Sequence, residues 1–493
     1  MEELLLENSH RGRLPMHMPG HKRNTEAFPY LGPLGGALDI TEIDGFDDLN
    51  DPHGIFASSE RRAAALWGSA AAVYSVNGST GAILASVRAA LAETDDHPHV
   101  LLARNAHRSV YHAIELCRAV PVYTAVHISP DGIPLSVSPR EIESALCADP
   151  SIALVIITSP TYEGVISDIR EISRVCTAHG VILLVDEAHG AHLGLCGALP
   201  DGSVACGADI AVQSLHKTLP SLTQTAIVHI GARFAPHTDE VRRQMQIFQT
   251  SSPSYLLSAS IDGAVRYLER DGGHRLEDLA KSLADMRHRL GKMQQLRLLA
   301  KSDGIFAVDP MHITVTTGSA GISGVELCRK LREHGIEPEM ASSGHAVMLS
   351  GAGDSSTSLT HLTDALLGID RELAEARSFA PRHNGSRNTA AFSETPSHAA
   401  DAMLHIPRRR MPPSDAAFVP SCTVPPERAA GLTSAAYISA YPPGIPIIVP
   451  GEVIDRDVTD AIARLADAGC ALRGLTEDGM LRVMCEQNQE DRR

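Results

Sequence analysis

The sequence predicts an α/β protein: a mostly parallel β-sheet sandwiched by helices, followed by small α+β domains. Three observations point there. Short, mostly apolar strands recur from about residue 72 to residue 230 with helical stretches between most of them, the pattern of strands covered on both faces by crossover helices. Beyond about residue 275 that alternation gives way to a long amphipathic helix and scattered strands. The 493-residue length exceeds one ordinary core and calls for two or three domains.

Residues 1–35, rich in Pro, Gly, His and Met, read as an extended N-terminal arm rather than a core element. Residues 36–274 form the large domain. In it Glu60–Leu66 is helical, and Ala72–Val76 is a buried strand ending at Asn77-Gly78-Ser79-Thr80-Gly81, before a helix over Ala82–Leu91. Strands follow at His99–Ala103, Ala119–Tyr123, Ala153–Thr158, Val181–Asp186, Ile210–Ser214 and Ala226–Ile230. Residues 275–377 read as a small α+β domain. There Leu276, Leu279, Leu283, Met286 and Leu290 share one helix face and Gly291 stops the helix. Strands His312–Thr316 and His345–Leu349 flank a helix near Gly324–His334. Residues 378–400 lack periodicity and read as a linker, and 401–493 as a C-terminal domain.

The net charge of −16 argues against nucleic acid and membrane surfaces as partners and would draw in cationic small molecules. Met1-Glu2-Glu3-Leu4-Leu5-Leu6-Glu7 has no basic region ahead of a long apolar one, so it does not read as a secretory signal. No run approaches the roughly 18–20 apolar residues that span a bilayer. Nine cysteines without a Cys-x-x-Cys pair read as reduced thiols of a cytoplasmic protein.

In a doubly wound sheet, ligands bind beyond the carboxyl ends of the strands, and four unusual clusters fall there. Asn77-Gly78-Ser79-Thr80-Gly81 is a strand-to-helix turn whose hydroxyls and N–H groups suit a phosphate, a plain helix cap being the alternative. Asp186 closes an apolar run, so its partly buried carboxylate needs a cationic partner, for which the protonated nitrogen of a pyridine ring would serve, a plain helix cap being the alternative. In Ser214-Leu215-His216-Lys217-Thr218, desolvation against apolar surface frees the Lys217 amine as a nucleophile, and Ser214 and His216 could hold the same phosphate. His107, in Arg104-Asn105-Ala106-His107-Arg108-Ser109, can stack on a flat ring or cap a helix.

These residues, in this order, resemble the bacterial ornithine/lysine/arginine decarboxylases of the aspartate-aminotransferase fold type. Pro15-Met16-His17-Met18-Pro19-Gly20-His21-Lys22 is similar to that family's N-terminal signature, and Asp39-Ile40-Thr41-Glu42-Ile43-Asp44-Gly45-Phe46-Asp47-Asp48-Leu49 to its next one. Ser159-Pro160-Thr161-Tyr162-Glu163-Gly164, Asp186-Glu187-Ala188-His189-Gly190 and Tyr441-Pro442-Pro443-Gly444 follow in family order, and the likeness runs from about residue 12 to 455. The resemblance implies pyridoxal 5'-phosphate (PLP) carried as a Schiff base on Lys217, with Asp186 on the pyridine nitrogen, His107 stacked on the ring and Ala188 beneath it. It places Ser79, Thr80, Ser214 and His216 at or beside the phosphate. Lys217 or His216 would return the proton to Cα. It also brings Glu452 towards the substrate pocket. The implied reaction is removal of CO2 from arginine, lysine or ornithine, in a homodimer or higher homo-oligomer. The signature begins at Pro15, so the wing domain of the long members is expected to be missing.

Glu42, Asp44, Asp47, Asp48 and Glu163 are the candidates to meet the substrate's distal cation, a charge run on a solvated face being the alternative. Rival readings fare worse. Asp186-Glu187-Ala188-His189 spells a helicase box, but no phosphate-binding Gly-x-x-x-x-Gly-Lys loop accompanies it. Ser214-x-x-Lys217 matches an acyl-enzyme motif whose companion motifs are missing. The pairs His189/His192 and His17/His21 lack a third metal ligand, so no metal is expected. Aminotransfer or aldol cleavage on the same cofactor, and a non-catalytic binding relative, remain the alternatives.

Overall fold

The computed structural model describes residues 1–379, 404–441, 444–467 and 470–485. Its largest sheet contains β1 (Ala71–Ser75), β2 (His99–Ala103), β3 (Val120–Thr124), β4 (Ile152–Thr158), β6 (Ile182–Asp186), β7 (Ile210–Ser214) and β8 (Ala226–Ile230), the two-residue β5 (Val165–Ile166) lying outside it. The order across the sheet is β1-β8-β7-β6-β4-β2-β3. Strands β7, β6, β4, β2 and β3 pair in parallel, whereas β8 is antiparallel to both neighbours. The reason is connection length: β7 and β8 are joined by 215–225 alone, fewer than the dozen or so residues of a parallel crossover.

Successive strand residues face opposite sides of a sheet, so a sheet covered twice must be apolar at every position. Of the helices α1 (Glu2–His10), α2 (Ile55–Trp67), α3 (Gly78–Ala90) and α4 (Arg108–Leu116), the last two meet Val100, Leu102, Leu154, Ile156 and Leu184 on one side, through Ile83, Val87, Tyr111 and Ile114. Leu101, Val155, Ile157, Leu183 and Val185 pack on the other against Ile142, Ile169 and Ile172, from helices Pro139–Ala148 and Ile169–Ala178. The carboxyl ends of β4, β6 and β7 and the end of β1 therefore open on one sheet edge, where Thr158 pairs with Asp186 and Ala226 with both Ser75 and Ser214.

The N-terminus departs from the expected extended arm. α1 (Glu2–His10) buries Leu5, and the Met1 ammonium pairs with Asp262 at 2.9 Å. Met1 and Leu5 are four residues apart, on one helix face, which nine residues are too few to display as a pattern. Residues 11–35 hold only the short turn Pro29–Leu31.

A second, antiparallel sheet runs β12-β13-β11-β9, from β9 (Arg297–Leu298), β11 (His312–Thr316), β12 (Met340–Ala341) and β13 (His345–Leu349). The stub β10 (Ala307–Val308) pairs with β5 in a separate two-stranded ladder, linking the chain before β11 to the chain after β4. The helix Gly273–Leu290 buries the five periodic residues Leu276 to Leu290. Further on, β15 (Ile438–Tyr441), β16 (Pro446–Ile448) and β17 (Ala471–Arg473) form a third sheet, and β14 (Ser421–Val424) pairs with β18 (Leu481–Met484). Most of the expected linker, 380–400, lies outside the described residues, as do Pro442 and Pro443. Among the described residues no helix is long and apolar enough to cross a membrane.

One strand residue makes a pH prediction. His229 on β8 is fully buried, with Nε2 facing Gln213 Oε1 at 3.0 Å, and burial lowers its pKa to about 3. The unfolded chain binds the proton that the folded chain refuses, so this contribution is whole above about pH 6.5 and falls away as the pH drops towards 3. Replacing His229 by Gln should flatten the acid slope. Urea unfolding should show the variant losing about 2 kcal/mol less than the parent between about pH 6.5 and pH 5, at about 1.4 kcal/mol per unit.

Candidate active site

A cavity of about 590 Å³ opens at the carboxyl edge of the large sheet, where strand ends, loops and helix N-termini converge. Ser79 lines it from the first turn of α3, whose leading N–H groups have no carbonyl one turn behind them. His107 lines it as the N-cap of α4: Nδ1 accepts from Ser109 N and lies 2.8 Å from Ser109 Oγ. Burial, helped by the Lys217 charge, lowers the His107 pKa to about 4, so its ring is neutral and suited to stacking. Gly444 of the C-terminal segment, at φ +90, presses its backbone on that ring; a Cβ there would sit 3.3 Å from His107 Nε2. The Gly444 carbonyl also accepts from Arg108 N at 3.1 Å.

Asp186 ends β6 only 3% exposed, with one oxygen accepting from Ala188 N at 3.2 Å. Burial raises its pKa against the opposing Lys217 charge. A carboxylate so enclosed calls for a cation. Lys217 rises from the one-turn helix Leu215–Thr218 directly after β7, and burial lowers its pKa, Asp186 and Glu339 resisting. His216 donates its Nδ1–H to Thr225 O, 3.0 Å away, so Nε2 can meet a phosphate oxygen only as the N–H of the imidazolium. Ser214 Oγ is buried with no hydrogen-bond partner among the described residues.

These features fit PLP. The orphaned Ser214 hydroxyl, Ser79 at a helix N-terminus and His216 suit a phosphate, Asp186 a protonated pyridine nitrogen, His107 one ring face, and Lys217 the aldehyde.

Of the residues marked by sequence, Ser79, His107, Glu163, Asp186, Ala188, His216 and Lys217 line the cavity. Thr80 is exposed one residue beyond, and Ser214 lies buried behind the Lys217 turn. Glu42 is half-buried and Asp44 exposed, both away from this cavity within the single chain. Glu452 does not line this cavity within the single chain either: it is 0% exposed, pairs with the fully buried Arg104 at 3.2 Å and accepts from Val449 N at 3.0 Å. The resemblance suggested it for the pocket, but its carboxylate meets Arg104, which also donates to the carbonyls of His405 and Ile447. This buried pair pins the C-terminal segment three residues from His107. Substituting Glu452 by Gln strips the guanidinium of its anion and should cost about 3–5 kcal/mol of stability, read as a lowered urea midpoint with an unchanged slope.

Sequence reasoning missed Glu339 and Tyr162 as a pair: Tyr162 OH donates to Glu339 Oε1 at 2.5 Å across the cavity mouth. It also missed the role of His189, whose Nε2 lies 2.9 Å from Lys217 Nζ. His189 and His192, weighed as a metal pair, face Lys217 and Asp309 instead, and His21 faces Asp39.

Residues 2–303 match the family model described as Orn/Lys/Arg decarboxylase, major domain, and residues 397–478 match the C-terminal domain of the same description. The chain is 30% identical to an arginine decarboxylase of Bacillus subtilis, over 97% of this chain and 96% of that one. Its fold is similar to that of lysine decarboxylase A from Pseudomonas aeruginosa, with a TM-score of 0.81 at 20% identity over 98% of this chain and 80% of the other. A PLP-containing SPT structure shares the fold at TM-score 0.53 and 17% identity, over 71% of this chain and 84% of that one.

Proposed function

The chain belongs to the Orn/Lys/Arg decarboxylase family, and from that premise we propose that it releases CO2 from a basic amino acid with PLP held on Lys217. The observation that carries this reading is a desolvated lysine sharing one cavity with a buried, cation-seeking carboxylate and a neutral histidine wall.

When bound, PLP supplies an electron sink for the pair left behind as the carboxylate departs. The chain's own residues do the rest. Asp186 would hold a proton on the ring nitrogen, which would set the depth of that sink. His107 holds the ring plane through its neutral face, Gly444 backing it from behind. Ser79 and the His216 imidazolium would hold the phosphate end in the cavity that Lys217 also lines. Lys217 Nζ, whose hold on a proton burial weakens, would be the carrier amine and would return a proton to Cα.

Glu163 and Glu339 offer two carboxylates for the distal cation, and the Tyr162 hydroxyl holds Glu339 in place. The net charge of −16 favours approach of such a substrate. Arginine is the first candidate, since the Bacillus subtilis relative carries that name. The exposed apolar side chains Leu14, Met16, Met18, Tyr30 and Leu34 support contact with a second copy of the chain, and unpaired cysteines support a reducing, cytoplasmic setting.

Incubation with arginine, lysine and ornithine separately, followed by mass spectrometry, tests the reading. We expect CO2 and the matching amine from at least one. A keto acid product would instead establish aminotransfer, and no turnover of any would favour a binding protein.

A further inference from the structure

Behind Lys217 runs a file of buried ionisable groups that the reaction so far leaves unused. Lys217 Nζ lies 2.9 Å from His189 Nε2, and His189 Nδ1 lies 3.4 Å from His312 Nε2. His312 Nδ1 lies 2.8 Å from Asp309 Oδ2, whose other oxygen lies 2.9 Å from His192 Nε2. His192, Asp309 and His312 are wholly buried. His189 and His192 follow β6, while Asp309 and His312 stand at the start of β11, so the file joins the large sheet to the second one. Its members are fixed in place: Gly164 has φ +89, and a side chain there would overlap His312.

The file has one polarity. A carboxylate only accepts, so His312 carries a proton on Nδ1 and His192 one on Nε2. The neutral His312 ring then presents a lone pair on Nε2, which His189 meets with Nδ1–H. That leaves the His189 Nε2 lone pair facing the lysine. Every donor thus points from Lys217 towards Asp309. Despite burial, the two imidazoles that face it, His192 and His312, hold the Asp309 carboxyl far below its ordinary range, so it stays an anion. His192 Nδ1 is buried without a hydrogen-bond partner among the described residues. That suits a lone pair and penalises an N–H, so a positive charge in this file settles on His312.

We propose that His189, His312 and Asp309 form a proton relay for Lys217, with His312 as its storage site. In the forward direction an N–H bond of the Lys217 ammonium breaks as one forms at His189 Nε2. The His189 Nδ1–H bond breaks as one forms at His312 Nε2. Lys217 is left a neutral amine, His312 an imidazolium against the Asp309 carboxylate, and the charge of the file is unchanged. The reverse transfers bring the proton back to Lys217 Nζ, where Cα can take it. His189 touches the reacting amine; His312 and Asp309 are positioning residues that act through it. Other titratable or charged groups face the file without interrupting it. Asp186, Glu339, His107 and His216 surround Lys217, Tyr162 stands edge-on to the His189 ring, Glu187 faces His192, and Arg287 lies beside Asp309.

The relay deepens the reading of Lys217 as the reacting amine and is tested without turnover. The full-length chain, its cofactor removed with hydroxylamine, is trace-labelled with acetic anhydride across pH, and acetylation of Lys217 is read by mass spectrometry. His312→Gln should raise the labelling midpoint by about one pH unit, since the proton loses its store. Asp309→Asn should also raise it. A carboxylate acting by charge alone gives the opposite sign, because its loss removes an anion that favours the ammonium. A midpoint unmoved by His312→Gln, or unmoved or lowered by Asp309→Asn, would overturn the relay. Should either variant not fold, nitrogen-15 histidine spectra of the unmodified chain decide: we expect neutral His189 and His312 protonated on Nδ1 and His192 on Nε2. Neutral His189 protonated on Nε2 beside a neutral His312 would equally overturn it. Because these readouts need no bound cofactor, they stand or fall apart from the assignment of Lys217 as its carrier.

Discussion

Replacing Lys217 with alanine should abolish the visible absorbance of the purified protein and lower turnover by at least about 10³-fold. The expectation follows from placement. Lys217 sits in the turn after β7 with its amine inside the cavity, its pKa lowered by burial and supported by Asp186. Among the described residues no second lysine lines that cavity. The substitution should leave the fold intact, because Asp186, already raised towards its neutral form by burial, can take up a proton once its counter-charge is gone. Circular dichroism unchanged from the parent, with colour and turnover lost, is the expected pair of results. A coloured, active variant would remove Lys217 from the mechanism.

The second large effect belongs to Asp186. Substituting Asn keeps the shape and the hydrogen bond from Ala188 N but removes the anion opposite the pyridine nitrogen. The cofactor should still attach to Lys217 and give colour, while kcat falls by about 10²–10³-fold, the scale of losing one aligned electrostatic group. Steady-state kinetics beside an absorbance scan separate the two properties. A variant with normal kcat would show that the ring nitrogen finds its proton elsewhere.

Much of this site was legible because it lies at strand ends. The strands of the large sheet announce themselves by unbroken apolar runs such as Ile182-Leu183-Leu184-Val185, and whatever polar group ends such a run is thereby placed at the cavity edge. That is how Asp186, Ser214, Lys217 and His107 could be marked from sequence. The direction of β8 could not be read from composition, which is the same for either sense; it follows from the short link after β7. The helix Glu2–His10 was missed because one buried turn gives too little periodicity.

The groups left unread are those whose partners lie far along the chain. Tyr162 and Glu339 are 177 residues apart, His189 and His312 are 123 apart, and His192 and Asp309 are 117 apart. Spacing alone presented His189 and His192 as a metal pair, and only the packing of β11 against the turn after β6 shows them facing a lysine and a carboxylate. Glu452 erred in the opposite way. Its place near the Gly444 segment is real, but the fully buried Arg104 claims its carboxylate.

Reduction with borohydride followed by peptide mass spectrometry bears most directly on Lys217 as the carrier. The purified protein, incubated with pyridoxal phosphate and reduced, should carry one stable pyridoxyl group per chain on the peptide containing Lys217, with loss of the visible band. A label absent from that peptide, or spread over surface lysines, would contradict the assignment.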